Sequence, residues 1–108
     1  MVDIILEIDF NKVIRRCDIK GHGGFDKKGK DLVCAGISVL AETFVLALNN
    51  LNEVKYRLYD EKDYMICIDE YTEDIKDELK GLSLFLIIGL KAISKEYTDN
   101  VKLKMIKE

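Results

Sequence analysis

The chain has 108 residues, of which 48% are hydrophobic and 34% are charged, and this composition is typical of one soluble globular domain covering residues 1–108. Its formal net charge is −3 and its pI is near 5.2. A general nucleic-acid-binding protein is basic over much of its surface, so no direct nucleic-acid partner is expected.

The apolar runs and the cysteines indicate a reduced, cytoplasmic protein. Asp3 and Glu7 interrupt the first apolar run, which argues against a signal peptide. The longest contiguous apolar run, residues 84–90, is far shorter than a membrane span, so no membrane partner is expected. The three cysteines are odd in number and include no close pair, which disfavours a disulfide framework.

Residues 2–20 predict a β-hairpin. One face of the first strand, at 2–10, is apolar and the other acidic: Val2, Ile4, Leu6, Ile8 and Phe10 against Asp3, Glu7 and Asp9. Asn11 and Lys12 follow as a tight turn in which Asn11 is expected to tolerate positive φ. The second strand, at about 13–20, is expected to place two residues inward and three outward: Cys17 and Ile19 against Arg16, Asp18 and Lys20.

Residues 32–51 predict a long helix. Its apolar residues recur at spacings of three and four: Val33, Ile37, Leu40, Phe44, Leu48 and Leu51. Because Val39, Val45 and Leu46 place apolar groups on the remaining faces, the helix must be covered on more than one side. The sheet supplies one cover, and a second helix or a partner subunit must supply the other.

The second half of the chain predicts two strands, a helix and a last strand. The strands, at about 54–59 and 64–70, are joined by the charged turn 60–63, and Thr72 is expected to cap a helix that runs to about Tyr97. Gly81 and Gly89 interrupt this helix at positions where another helix could approach closely. Its apolar stripe consists of Ile75, Leu79, Leu82, Leu86, Leu90, Ile93 and Tyr97, and the last strand alternates at Val101, Leu103 and Met105. The order ββαββαβ predicts an α+β fold, with two helices packed against one mostly antiparallel sheet.

The residues able to do chemistry concentrate between positions 20 and 38. His22, the only histidine, lies among glycines, and Cys34 follows twelve residues later at the predicted helix start. A thiol at a helix N-terminus meets the positive end of the helix dipole and unpaired N–H groups, which stabilise a thiolate. We therefore assign Cys34 as nucleophile and His22 as general base and then general acid. The alternatives are a small buried cysteine and a loop histidine without a role.

Neighbouring residues are assigned supporting roles. Asp31 either caps the helix or orients His22. Gly21 and Gly23 leave room for a substrate backbone beside His22, and Ala35 keeps the first helical turn slim enough for a peptide to lie across it. Phe25, in a glycine-hinged loop at 23–30, is the apolar candidate for substrate contact. One histidine and one nearby cysteine cannot complete a four-ligand metal site, so no metal or cofactor is expected.

Residues 21–23, GHG, and residues 31–38, DLVCAGIS, resemble the ribosomal-processing cysteine protease family, Prp. The family pattern is Gly-His-Ala, a short loop and Asp-x-Val-Cys-Ala-x-x-Ser, so Gly23 replaces the usual alanine. The resemblance implies an endopeptidase that removes the N-terminal extension of a bacterial large-subunit ribosomal protein, number twenty-seven, after a pair of aromatic residues. It also implies a homodimer and a role for Ser38 in lining the substrate site or positioning Cys34. From spacing alone, Ser38 could instead bond back to the carbonyl of Cys34.

Two other classes of protein remain open from the sequence. A non-catalytic ribosome- or RNA-associated binding module would use Lys27, Lys28 and Lys30 to contact phosphate, although the overall acidity disfavours it. A redox-sensing thiol is disfavoured because no resolving cysteine lies near Cys34 in the sequence.

Overall fold

The computed structural model describes residues 1–21 and 30–108, with side chains for all of these except residues 30 and 31. The elements are β1 (Val2–Ile8), β2 (Ile14–Lys20), α1 (Lys30–Asn49), β3 (Val54–Asp60), β4 (Tyr64–Tyr71), α2 (Lys76–Glu96) and β5 (Val101–Lys107). The predicted α+β fold and its element order are confirmed. A short 3-10 turn, Glu73–Ile75, precedes α2.

The five strands form one sheet in the order β3-β4-β2-β1-β5. Three of the pairings are antiparallel, and β5 runs parallel to β1. The parallel pair requires a long crossover, which α2 supplies between β4 and β5. Alternate β1 residues, Val2, Ile4, Leu6 and Ile8, are buried and join the buried residues of both helices in one core.

Helix α1 is apolar enough to resemble a membrane span. Residues Leu32–Asn49 have a mean hydropathy of 1.9, so by length and composition alone the helix could cross a membrane. The search for contiguous apolar runs did not reveal this. In the fold this helix contributes to the common core with Val33, Ile37, Ala41, Phe44 and Leu48. Its hydropathy is high because Leu32, Val39 and Leu46 add exposed apolar side chains to this core face.

The end of the first strand differs from the prediction. Strand β1 stops at Ile8, and Phe10 is 83% exposed rather than inward-facing. The reason is Asp9, whose Oδ1 accepts the backbone N–H groups of Asn11 at 2.9 Å and Val13 at 3.0 Å and so turns the chain. The positive φ in this turn, 65°, belongs to Lys12 and not to Asn11.

Asp18 is buried, although the strand pattern predicted an outward, solvated residue. It lies on the opposite face of β2 from Cys17, as predicted, between the paired residues Ile5 and Met65. Arg16 satisfies the carboxylate with two bonds, Nε to Oδ1 at 3.0 Å and Nη2 to Oδ2 at 2.6 Å. This bidentate pair lets the carboxylate lose water without an unsatisfied charge.

The start of α2 also departs from the prediction, but its apolar stripe is confirmed. Thr72 precedes the 3-10 turn and makes no side-chain capping bond, and α2 itself begins at Lys76. Every predicted stripe residue is buried in the core or packs against it: Ile75, Leu79, Leu82, Leu86, Leu90, Ile93 and Tyr97.

The two glycines of α2 have different surroundings. A Cβ at Gly89 would lie 2.9 Å from Cδ1 and 3.1 Å from Cδ2 of Leu40 in α1, so the helices do approach closely there. A Cβ at Gly81 would have nothing within 4 Å, so the predicted close approach at Gly81 is wrong.

This contrast gives a matched pair of variants. Gly81→Ala is expected to raise the free energy of unfolding by about 1 kcal/mol, because alanine favours the helix and restricts the unfolded chain. Gly89→Ala brings the same gain but forces Leu40 to move, so its net stabilisation should be clearly smaller. Urea denaturation measures both, and equal stabilisation would show that Leu40 repacks without cost.

Candidate active site

Helix α1 places Cys34 deeper in the helix than the sequence predicted. The helix begins at Lys30, so Cys34 is its fifth residue, and its backbone N–H is expected to bond to the carbonyl of Lys30 in the regular α-helical pattern. Asp31 lies inside the helix by backbone position, so its interpretation as the N-cap is wrong. Whether Asp31 orients His22 stays a prediction, because its side chain and His22 lie outside the described residues.

Cys34 lines a cavity of about 160 Å³ between the first half of α1 and one end of the sheet, here called the Cys34 cavity. Among the described residues it is also lined by Val2, Ile19, Ile37, Ser38, Ala41, Glu42, Asp60 and Tyr64. Cys34 is half-buried, since it packs against the core while still reaching the cavity. A nucleophile needs this partial exposure, because a fully buried thiol cannot meet a peptide.

The sheet contributes to the cavity through four strand ends. Val2 begins β1, Ile19 lies near the end of β2, Asp60 ends β3 and Tyr64 begins β4. The antiparallel register pairs Tyr64 with both Ile19 and Asp60, which brings these three residues to the same end of the sheet. Strand β2 ends at this end of the sheet, and Gly21 and then His22 follow it in the sequence.

The helix contributes one row of side chains. Cys34, Ser38 and Glu42 follow at intervals of four, which places them on one face of α1. Ser38 is exposed and lines the cavity. Ala35 is exposed beside Cys34. Sequence reasoning missed Glu42, although the same four-residue spacing could have found it.

Tyr64 provides a hydroxyl that stays protonated at neutral pH. Burial, followed by the negative charges of Asp60 and Glu42, raises the pKa of Tyr64 to about 12. Asp60 and Tyr64 carried no sequence signal, because only the β2–β4 and β3–β4 pairings bring them to α1.

The other two cysteines occupy different environments. Cys17 is fully buried, and burial, followed by the charge of Asp18, raises the pKa of its thiol to about 12, so it belongs to the core as predicted. Cys67 is only half-buried and pairs across the sheet with Arg16 and Arg57. It lies between Ile66 and Ile68, which take the buried face of β4, so alternation turns Cys67 the other way.

The site residues that precede α1 lie partly outside the described residues. His22, Gly23 and Phe25 are among them, so their predicted roles stay predictions. Gly21 is described, and it has φ of +80°. A Cβ at Gly21 would lie 2.5 Å from the carbonyl oxygen of Met1, so the backbone next to His22 requires glycine on two counts.

A half-buried cysteine on a helix, facing a cavity at the strand ends, fits the class of cysteine proteases, and comparison with known proteins establishes that class. Residues 1–102 match the family model described as Cysteine protease Prp. The chain belongs to this family and is a cysteine protease.

Individual relatives agree with the family match. The Ribosomal processing cysteine protease Prp of Bacillus subtilis is 27% identical over 106 residues, covering 94% of this chain and 95% of the relative. A crystal structure from Streptococcus mutans superposes with a TM-score of 0.80 at 22% identity, covering 100% of this chain and 96% of the other. The Prp of S. aureus in complex with a substrate peptide gives a TM-score of 0.79 at 21% identity, covering 97% and 99%. At these identities the two structures show that the fold is shared.

The backbone at Gly21 generates a stability prediction. Gly21→Ala is expected to lower the free energy of unfolding by about 1–2 kcal/mol, because an L-residue is strained at positive φ, and the contact with the Met1 carbonyl adds to that cost. The same substitution at Gly81, which is expected to stabilise the protein, is the control. A Gly21→Ala protein as stable as wild type in urea denaturation would contradict the strain argument.

Proposed function

We propose that the protein is a ribosomal-processing endopeptidase that removes the N-terminal extension of bacterial large-subunit ribosomal protein number twenty-seven. The observation that carries this proposal is the position of Cys34, which is half-buried on the wall of a cavity at one end of the sheet. Strand β2 ends there, and His22 follows it in the sequence after Gly21. The membership of the Prp family supports it, as does the name of the Bacillus subtilis relative.

In the proposed reaction His22 takes the thiol proton, and the sulfur of Cys34 attacks the scissile carbonyl. The tetrahedral intermediate collapses to a thioester when His22 gives that proton to the leaving amine. Water, deprotonated by His22, then attacks the thioester and releases the new carboxyl end and the Cys34 thiol. The backbone N–H of Cys34 is expected to be hydrogen-bonded within α1. It is therefore a poorer oxyanion donor than the N–H of a cysteine at the first helical position would be.

We also propose a cytoplasmic homodimer. Both helices expose large apolar side chains on their outer faces: Leu32, Val39 and Leu46 on α1, and Leu84, Phe85 and Ile88 on α2. Each of these is more than half exposed, and exposed apolar surface of this kind marks interaction sites. A second copy of the chain would supply the cover that the pattern of α1 requires. The cytoplasm is the compartment where the protease would encounter a ribosomal protein as its substrate.

The binding-module alternative has less support. It depends on Lys27, Lys28 and Lys30, whose side chains lie outside the described residues. A cysteine protease needs a nucleophilic thiol, which Cys34 can supply at the cavity wall, whereas a binding module leaves this thiol without a role.

Thiol labelling tests the assignment of the nucleophile. At pH 6 iodoacetamide is expected to label Cys34 faster than the half-buried Cys67, because the imidazole of His22 is expected to favour the thiolate. Cys17 should stay unlabelled in the native protein, since it is fully buried and its pKa is about 12. Peptide mass spectrometry reads all three sites. His22→Ala should slow labelling of Cys34, and equal rates at Cys34 and Cys67 would favour the binding module.

Turnover tests the reaction itself. Incubation with the extended ribosomal protein, followed by mass spectrometry, should show loss of the extension with wild type and none with Cys34→Ala. His22→Ala is expected to reduce kcat/KM by about 10²–10⁴, the usual contribution of general acid–base catalysis. Cys67→Ala is the matched control and should cleave normally. An extension left intact by wild-type protein that labels at Cys34 would refute the substrate assignment.

A further inference from the structure

Strand β3 (Val54–Asp60) combines a free edge with an end that reaches the candidate active site. It is the first strand in the sheet order β3-β4-β2-β1-β5, so one of its sides pairs with β4 and the other has no strand partner among the described residues. Its last residue, Asp60, lines the Cys34 cavity. The free edge of β3 therefore leads to the cavity that the predicted nucleophile shares.

The outer side of β3 offers backbone hydrogen-bonding groups. In an antiparallel pair the N–H and C=O groups of alternate residues point to opposite sides, so half of these groups in β3 face away from β4. The β3–β4 register shifts between Lys55 and Tyr56 and is regular over residues 56–60. Outward groups along a regular edge are a template for another strand. Residues 56–60 span roughly 17 Å and can hold about five residues of an extended peptide.

The side chains of β3 nearest the cavity are apolar on both faces of the sheet. Leu58 is 42% exposed and Tyr59 is 44% exposed. Successive residues of a strand point to opposite faces, so each face of the edge offers one apolar contact. A strand added here would cover both side chains. These contacts are compatible with the aromatic pair expected before the cleaved bond.

The other edge strand, β5, is less suited to an added strand. On β3, Lys55 and Arg57 each form an ion pair with a carboxylate of β4, at 3.4 Å and 2.9 Å. On β5, Lys102, Lys104 and Lys107 take part in no ion pair between residues 1–21 and 30–108. Uncompensated lysines on an edge strand disfavour pairing with a further strand. Moreover, the described residues that line the Cys34 cavity include one from β3 and none from β5.

We propose that the peptide substrate binds as an added strand along the free edge of β3 and enters the Cys34 cavity past Asp60. Strand addition rests on the proposed function, because its occupant is an extended peptide that Cys34 cleaves. Backbone hydrogen bonds to β3 hold the peptide, and Leu58 and Tyr59 contact its side chains. In this mode of recognition the backbone bonds supply affinity and the pockets supply specificity. The edge positions the chain, and the cavity selects the residue beside the cleaved bond.

Amide hydrogen exchange tests the pairing directly. It is measured by NMR on the Cys34→Ala protein, with and without a peptide that spans the cleavage site of the extended ribosomal protein. In the free protein the outward amides of β3 exchange faster than those bonded to β4. Saturating peptide is expected to slow exchange of the outward amides, which belong to alternate residues within 56–60, by about tenfold or more. The amides of β5 are the internal control and should not change.

N-methylation of the peptide backbone gives a second readout. Each methyl group removes one N–H donor and leaves the side chain in place. Where that N–H points to β3, the Kd for the Cys34→Ala protein is expected to rise by about five- to tenfold, as fits one lost hydrogen bond. Where the N–H points to solvent, the Kd should change little. The losses should therefore alternate along the peptide.

A matched pair of variants tests the side chains at the edge. Leu58 on β3 and Ile106 on β5 are both apolar and similarly exposed, at 42% and 40%. Leu58→Thr is expected to raise the Kd of the peptide several-fold, because it removes an apolar contact while keeping a good strand former. Ile106→Thr makes a comparable change on the other edge and should leave the Kd unchanged.

Two results would overturn strand addition in distinguishable ways. If wild type cleaves the peptide, but the amides of β3 gain no protection and the N-methylation losses do not alternate, the peptide binds elsewhere and the protease assignment stands. If wild type cleaves no peptide, the substrate assignment fails, and strand addition of that substrate fails with it.

Discussion

The backbone ladder between β2 and β4 sets the position of every cavity residue that these two strands supply. It pairs Cys17 with Ile66 and Ile19 with Tyr64, and the buried side chains of Ile66 and Ile68 lock that register. A slip of one residue would turn these isoleucines to the outer face and move Tyr64 away from α1. The active site is therefore held by the same hydrophobic alternation that forms the core.

The two ends of the sheet serve different purposes. At the end away from Cys34, the β1–β2 register shifts after Glu7, and the N–H of Ile14 bonds to the fully buried Ser83 of α2 at 3.0 Å. Asp9 also accepts the hydroxyl of Tyr71 there, at 2.6 Å. These hydrogen bonds satisfy polar groups at that end of the fold, where leaving them unpaired would be costly. The Cys34 cavity lies at the opposite end.

The predicted nucleophile and its predicted base belong to different elements. Cys34 is carried by α1 and packs against the core, while His22 follows the end of β2 in sequence through Gly21, which has positive φ. The sulfur is therefore carried by the helix, whereas the predicted base is joined in sequence to the sheet.

The sequence by itself determined the element order, the buried faces of most elements and, through residues 21–23 and 31–38, the protease family. These features are local, since alternation and helical spacing report which face of an element is apolar. Tertiary structure alone decided the strand order, the burial of Asp18, the close approach at Gly89 and the meeting of Glu42, Asp60 and Tyr64. The physical reason is that periodicity gives each element a buried face but does not name the neighbour that covers it. That choice depends on packing between residues far apart in the chain.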